Sequence, residues 1–258
     1  MEIEENRRNW DTIYDWSQRG EEWSIAWGGS EAQWFGCLFP RIHSYLPAAT
    51  ILEIAPGFGR WTRHLLRYSK VLRGVDLSTV CVEACRKRFA GEPAEFYAND
   101  GESLNMIADR SIDFACSLDS LVHAEAPVLR SYAHQLPRKL APDGVAFIHH
   151  SNLGACGGAA IPNPHARAVS MTADLFLQFC QEADGLVCLT QELVNWGQPE
   201  LVDCFSVITR RGSRFERPYQ RLENPNFMVE AEIVKGYSAL YNSPLAESFL
   251  RAARRETA

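Results

Sequence analysis

Four acids recur through the first half of the chain, each inside or directly after an apolar run: Glu53, Asp76, Asp100 and Asp119. Three histidines follow, His123 shortly after the last acid and the pair His149-His150 at the end of a further apolar run. A carboxylate offers two acceptor oxygens to hydroxyl or amino groups. An imidazole is the side chain best suited to move a proton near neutral pH. Asp119 could orient one of these rings and stabilise its charged form, as the third member of a triad does. Zinc or iron could also sit among such ligands, which suit magnesium poorly; proton transfer is the preferred reading, with no metal. Adjacent strand residues face opposite ways, so only one of His149 and His150 can easily face a shared site.

These residues need a scaffold, and the run Ile51 to Leu65 organises it. An apolar run ending near Glu53 meets two glycines one residue apart, Gly57 and Gly59, and an amphipathic pattern begins at once. That is a strand, a tight turn and a helix start, where the backbone turns sharply and a ligand can approach without a Cβ in the way. Free N–H groups at such a turn suit an anionic ligand group. A dinucleotide fingerprint begun at Gly57 would need glycine at 62, where Thr62 stands.

From residue 48 onward strands and helices alternate, which predicts a mostly parallel sheet covered on both faces. Strands are expected at 50–55, 71–76, 94–99, 112–118 and 145–150, with helices near 60–69, 79–90 and 127–140. Ser78 or Thr79 caps the second helix. Residues 151–170 are rich in Gly, Ala and Pro and form a long loop of the kind that usually carries function; Arg167 in it could clamp a carboxylate or phosphate. Thr172 caps a further helix, and 185–195 with 201–210 reads as an antiparallel hairpin closing the sheet. The expected fold is thus α/β, a Rossmann-like seven-stranded, mostly parallel sheet with an antiparallel C-terminal hairpin. An N-terminal helical segment (1–47) precedes the core domain (48–211), and a helical tail (212–258) in two pieces, 226–241 and 244–255, follows it. That tail could be a docking segment or a homodimer contact.

Five of the seven tryptophans lie in residues 1–47, around a glycine pair at Gly28-Gly29 with Ser30 as a plausible helix cap. They either pack a helical layer against the sheet or form a lid that closes over a ligand. Trp23 and Trp27, nearest the glycine hinge, are the lid candidates.

The pattern Glu53-x-Ala55-x-Gly57-x-Gly59, with acids at three later strand ends, resembles the class I S-adenosylmethionine-dependent methyltransferases over about residues 50–150. The resemblance implies S-adenosylmethionine as cofactor and S-adenosylhomocysteine as product. It assigns Glu53, Ala55, Gly57 and Gly59 to the wall for the methionine part and Asp76 to the ribose hydroxyls. Asp100 with Gly101 goes to the adenine, and Leu77 and Leu118 give apolar cover to the base. Alanine at 55 departs from the family's glycine and is tolerable where φ is negative. The remaining residues would serve the methyl acceptor: His123 or His150 as base, Asp119 beside it, and Trp23, Trp27, His149 and Arg167 as binding residues.

The region outside the core resembles bacterial stand-alone enzymes acting on sugars or natural products. It implies a small polar acceptor methylated at a hydroxyl. An amine acceptor, which needs less help from a base, is the nearest rival. A catalytically inactive binding or dimerisation module of the same fold is another, and the acids at 53, 76 and 100 argue against it.

Composition bounds the rest. A length of 258 residues with 46% hydrophobic and 22% charged content suits one large domain with a sizeable core. The net charge of −6 argues against a nucleic-acid or anionic membrane partner. No apolar run approaches the roughly 18 residues of a membrane span, and the N-terminus lacks a signal peptide's apolar stretch. Eight cysteines without any C-x-x-C pair indicate neither zinc nor a disulfide framework, and a cytoplasmic setting is expected.

Overall fold

The computed structural model describes residues 2–157, 161–163 and 165–242. Its centre is an eight-stranded sheet with the order β3-β2-β1-β4-β5-β7-β6-β8. The strands are β1 (Ala48–Ile54), β2 (Ser69–Asp76), β3 (Ala94–Ala98), β4 (Ile112–Ser117), β5 (Leu140–Ser151), β6 (Leu186–Val194), β7 (Asp203–Arg210) and β8 (Gln220–Asn224). Strands β1 to β5 pair in parallel, and β7 runs antiparallel between β5 and β6. The expected strand count is therefore one short. Gln220–Asn224 pairs in parallel with β6 and extends the sheet before the last helix begins. Its sequence, Gln-Arg-Leu-Glu-Asn, carries no apolar alternation because it is an exposed edge, held by backbone hydrogen bonds.

The helices are α1 (Ile3–Arg8), α2 (Ser30–Gln33), α3 (Phe39–Ile42), α4 (Thr62–Leu65), α5 (Thr79–Arg88), α6 (Ala126–Lys139), α7 (Ala173–Glu182) and α8 (Phe227–Asn242). Ser78 caps α5 by accepting from the Cys81 N–H, and Thr172 caps α7 by accepting from Leu175. Ser30 makes no cap bond; its hydroxyl pairs with Glu21 and Arg63. The second tail piece expected at 244–255 lies outside the described residues.

Side-chain alternation sorts the core into two layers. Leu52, Ile54, Ala115, Ala146 and Ile148 join α6 and α7 on one face. Ile51, Phe114, Cys116 and Phe147 join the N-terminal segment, α5 and α8 on the other, where Trp27 and Trp34 are completely buried. The chain runs outward from β1 to β3, then returns to β4 beside β1. This reversal opens a crevice at the carboxyl ends of β1 and β4, where open α/β sheets bind their ligands.

Candidate active site

The turn after β1 forms the floor of a cavity in that crevice. Gly57 and Gly59 have φ of +57° and +78°, the left-handed region that favours glycine. A Cβ on Gly59 would also come within 2.4 Å of the Phe89 ring. Ala55 shares the same region at φ +58°, so the negative φ under which alanine is readily tolerated is not the one it adopts. Its methyl is held there against a steric cost of about 1–2 kcal/mol. The clamps are visible: Ala55 N–H donates to Val75 O at 2.7 Å, and the Ser120 hydroxyl donates to Ala55 O at 2.8 Å.

Asp76 closes β2 against this turn. Its two oxygens accept from Gly57 N–H at 3.0 Å and Ser78 N–H at 2.8 Å, and burial pushes its carboxyl up to about 6. The carboxylate lines the cavity with Gly57, Leu118, Asp119 and Ser120. Glu53 lies one layer deeper and does not reach it. Its carboxylate accepts from the Thr62 hydroxyl at 2.5 Å, and burial raises it to about 7. Thr62, the residue that breaks a dinucleotide fingerprint, is thus the partner of the buried acid.

The N-terminal segment covers this cavity. Trp16 stacks on Phe58 with centroids 4.4 Å apart and planes 2° apart, and a Cβ on Gly57 would meet its ring at 3.0 Å. Asp11 accepts from the Ser78 hydroxyl at 2.5 Å, beside Asp76. A Cβ on Gly101 would meet Ile3 at 2.9 Å and Leu77 at 3.2 Å, so α1 sits over the site expected for adenine. Asp100 is exposed and lines neither this cavity nor the second one, around His123. Its carboxylate accepts from the N–H groups of Glu102 and Ser103, which hold it low despite partial burial.

Asp119 stands at φ +61°, a second strained non-glycine residue at a strand end. Its carboxylate pairs with Arg60 at 2.6 Å, and Arg60 also donates to the Ser24 hydroxyl at 3.0 Å. The expected pairing of Asp119 with an imidazole through its side chain is therefore replaced by an arginine that ties the glycine turn to the N-terminal cover. The Asp119 backbone N–H instead donates to His149 Nδ1 at 3.0 Å. That donor commits the lone pair on Nδ1 and leaves the ring proton on Nε2, which faces Asp203 Oδ2 at 3.3 Å. Arg167 holds the same Asp203 in a fork, at 2.5 and 2.8 Å. Despite complete burial, this guanidinium keeps the Asp203 carboxyl at about 2. Arg167 is thus engaged by the protein's own carboxylate.

His123 and His150 have different surroundings. The His123 ring lies 5.3 Å from Trp10, and its Nδ1 stands 3.2 Å from Ala166 O, which places the proton on Nδ1 and the lone pair on Nε2. Burial lowers it to about 4. It lines a second cavity with Tyr14, Glu22, Trp23, Asp119, Arg167 and Trp196. His150 follows Ile148 in strand parity and faces α7, with its ring 4.5 Å from Phe176. Both of its nitrogens have partners, Ser151 O and the Ser206 hydroxyl, and it lines neither cavity. The expectation that His150 could be a base meets a ring on the opposite face of the sheet.

The two cavities share Trp23 and Asp119. Trp23 is half-buried between them, whereas Trp27, the other lid candidate, is fully buried and packs on Trp196 at 4.8 Å. Sequence reasoning missed Trp10, Tyr14, Trp16, Glu22, Arg60 and Trp196. For four of them the signal was present, since they belong to the tryptophan-rich segment around Gly20, which like Gly28 has a left-handed φ, +78°.

Residues 51–144 match the family described as a methyltransferase domain. Among curated proteins, none matches the chain. Among solved structures, a Leishmania major S-adenosylmethionine-dependent methyltransferase aligns with a TM-score of 0.61 at 11% identity, covering 80% of this chain and 82% of that one. A Clostridium acetobutylicum enzyme of the same description aligns at 0.57 with 15% identity, covering 78% and 97%. A protein of Pyrococcus horikoshii aligns at 0.57 with 17% identity, covering 79% and 96%. At these identities the likeness is one of fold. Asp76 and the glycine turn fit the cofactor's demands, a buried paired acceptor beside backbone with no Cβ in the way. The match over residues 51–144 and the shared fold together support an enzyme of the methyltransferase class with S-adenosylmethionine as its cofactor.

Proposed function

We propose that the enzyme methylates a hydroxyl of a small polar molecule, a sugar or natural-product intermediate, with His123 as the base. The observation that carries this reading is the junction of the two cavities at Asp119 and Trp23, with His123 lining the second. Asp76 and the glycine turn would hold the cofactor, which supplies an already activated methyl group. Positioning then contributes most of the rate. Asp119, fixed by Arg60, keeps the wall between cofactor and acceptor in place. Trp10, Trp16 and Trp23 exclude water from it.

His123 accepts the hydroxyl proton on Nε2. A ring lowered to about 4 is neutral throughout the neutral range, although it is a weak base. A weak base suffices here, because an alcohol becomes strongly acidic as its oxygen forms the new bond to carbon. Eight free cysteines, seven of them buried, suit a reducing cytoplasmic compartment.

The test is release of S-adenosylhomocysteine in the presence of small alcohols and phenols on one side and amines lacking hydroxyls on the other. Turnover with the hydroxyl set, and its collapse in His123→Ala, is expected. Turnover with the amines alone, or an unaffected His123→Ala, overturns the reading.

A further inference from the structure

The acceptor cavity has an unusual charge balance. It encloses about 950 Å³, mouth included, and the rings of Tyr14, Trp23, Trp27 and Trp196 line it. Three charged side chains reach it besides the histidines. Arg167 is offset by Asp203 and Asp119 by Arg60, each through contacts of 2.8 Å or less. Glu22 is the third, and among the described residues no cation pairs with it.

One Glu22 oxygen, Oε1, accepts from the Tyr14 hydroxyl, which in turn accepts from the Trp23 indole N–H. Burial and the Glu22 carboxylate hold that phenol protonated well above its usual range, so Tyr14 stays a donor. The other oxygen, Oε2, is buried with no hydrogen-bond partner. A buried carboxylate oxygen without a partner is costly. Aromatic faces beside it add attraction for a cation but none for a neutral alcohol.

We infer that this cavity takes a small molecule bearing an ammonium group, which Glu22 Oε2 holds among the aromatic rings while its hydroxyl lies at the Asp119–His123 end. The inference rests on the proposed function, since it names the acceptor class of the same site. The ammonium is a handle and not the methyl acceptor. Paired with a carboxylate it keeps its proton and has no lone pair to attack with. The substrate class is therefore an alkylamine that also bears a hydroxyl, an amino alcohol or an aminoalkylphenol.

A matched pair tests this: tyramine, with a phenol at one end and an ammonium at the other, against 4-propylphenol, in which a methyl group replaces the ammonium. Each is titrated calorimetrically into the full-length protein, and S-adenosylmethionine is titrated separately. Tyramine should bind about tenfold tighter than 4-propylphenol although it is the less hydrophobic of the two. Glu22→Gln, which keeps the Tyr14 hydrogen bond, should bring that ratio to one or below. A wild-type ratio of one or below overturns the inference whether or not the variant folds, and so does a preference that survives in Glu22→Gln. Binding of S-adenosylmethionine without the tyramine preference sinks only the ammonium site. The preference without S-adenosylmethionine binding supports the site and sinks the proposed function.

Discussion

The two cavities are built in opposite ways. The cavity proposed for the cofactor takes its floor from one local turn, Ala55 to Arg60, its wall from strand ends at Asp76 and Leu118 to Ser120, and its cover from Trp10, Trp16 and Trp23. Backbone N–H groups and left-handed φ values make the shape of its floor. The cavity proposed for the acceptor is assembled from five separated stretches, reaching from Tyr14 to Met228, and side chains make its shape. A site formed by backbone tolerates few sequences and so leaves a pattern. A site formed by side chains converging from distant elements leaves none. The division also predicts which variants change cofactor affinity and which change turnover.

The largest separation should come from His123→Ala. Loss of the base should lower kcat by about 10²–10⁴-fold, with S-adenosylmethionine affinity within twofold, read by steady-state release of S-adenosylhomocysteine and by calorimetry. His150→Ala should do the reverse. Its ring is completely buried on the α7 face, so about 3 kcal/mol of stability should be lost, measured by urea unfolding. The kcat of the folded fraction should stay within about threefold of wild type. A large kcat loss at 150 with stability intact would break the assignment of the two faces.

Asp76→Ala should weaken S-adenosylmethionine by more than about tenfold, because it removes a paired acceptor from ligand hydroxyls. Asp100→Ala, at an exposed carboxylate engaged by its own loop, should change it less than about threefold. Equal losses at both positions would mean that α1 swings away and adenine takes the site over Gly101.

The pH dependences should differ between the cavities. Asp76 must ionise to bind, and its carboxyl is raised to about 6. Affinity for S-adenosylmethionine should therefore fall about tenfold from pH 7.5 to pH 5. The limb of kcat set by His123 should appear near pH 4, where its ring is lowered, and not at the 6–7 of an unperturbed imidazole. Stability follows the same shifts. The raised Asp76 carboxyl contributes stability at low pH that is lost as pH rises through about 6. The lowered His123 and His150 contribute stability above about 6.5 that is lost as pH falls towards about 4. Calorimetric melting across pH 4 to 8 checks both signs.

The smallest effect belongs to Ala55→Gly. Relief of the left-handed alanine favours the variant by about 1–2 kcal/mol. The greater freedom of glycine in the unfolded chain takes back about 0.4–1 kcal/mol. A net gain of about 0–1.6 kcal/mol is expected, with cofactor affinity unchanged. Destabilisation would mean that the Ala55 methyl packs in a way its φ does not reveal.

Much of the frame is legible in the sequence. Alternation of apolar runs with helical patterns identified the first five strands; the inner ones are apolar because both of their faces are buried, and the edge strand β3 keeps one buried ring, Phe96. Gly57 and Gly59 marked the turn because few other residues adopt its φ, and Asp76 marked the second strand end because an acid closes the apolar run there; the resemblance added the ribose role. The eighth strand was not legible, since an exposed edge needs only backbone bonds. Nor was Ala55's positive φ, which depends on Val75 and Ser120 clamping it from outside.

The histidines divide along the same line. Strand parity by itself implied that His149 and His150 face apart, but which one faced the site depended on the layer that packs against each. Only the tertiary structure decided that Asp119 pairs with Arg60, that Arg167 serves Asp203, and that Glu22 and Trp196 meet His123 around one cavity. Each is a contact between residues far apart in the chain. Local φ preferences and hydrophobic period act over a few residues and are written in sequence order. Charge pairing and ring packing act between surfaces that exist only after the sheet has formed.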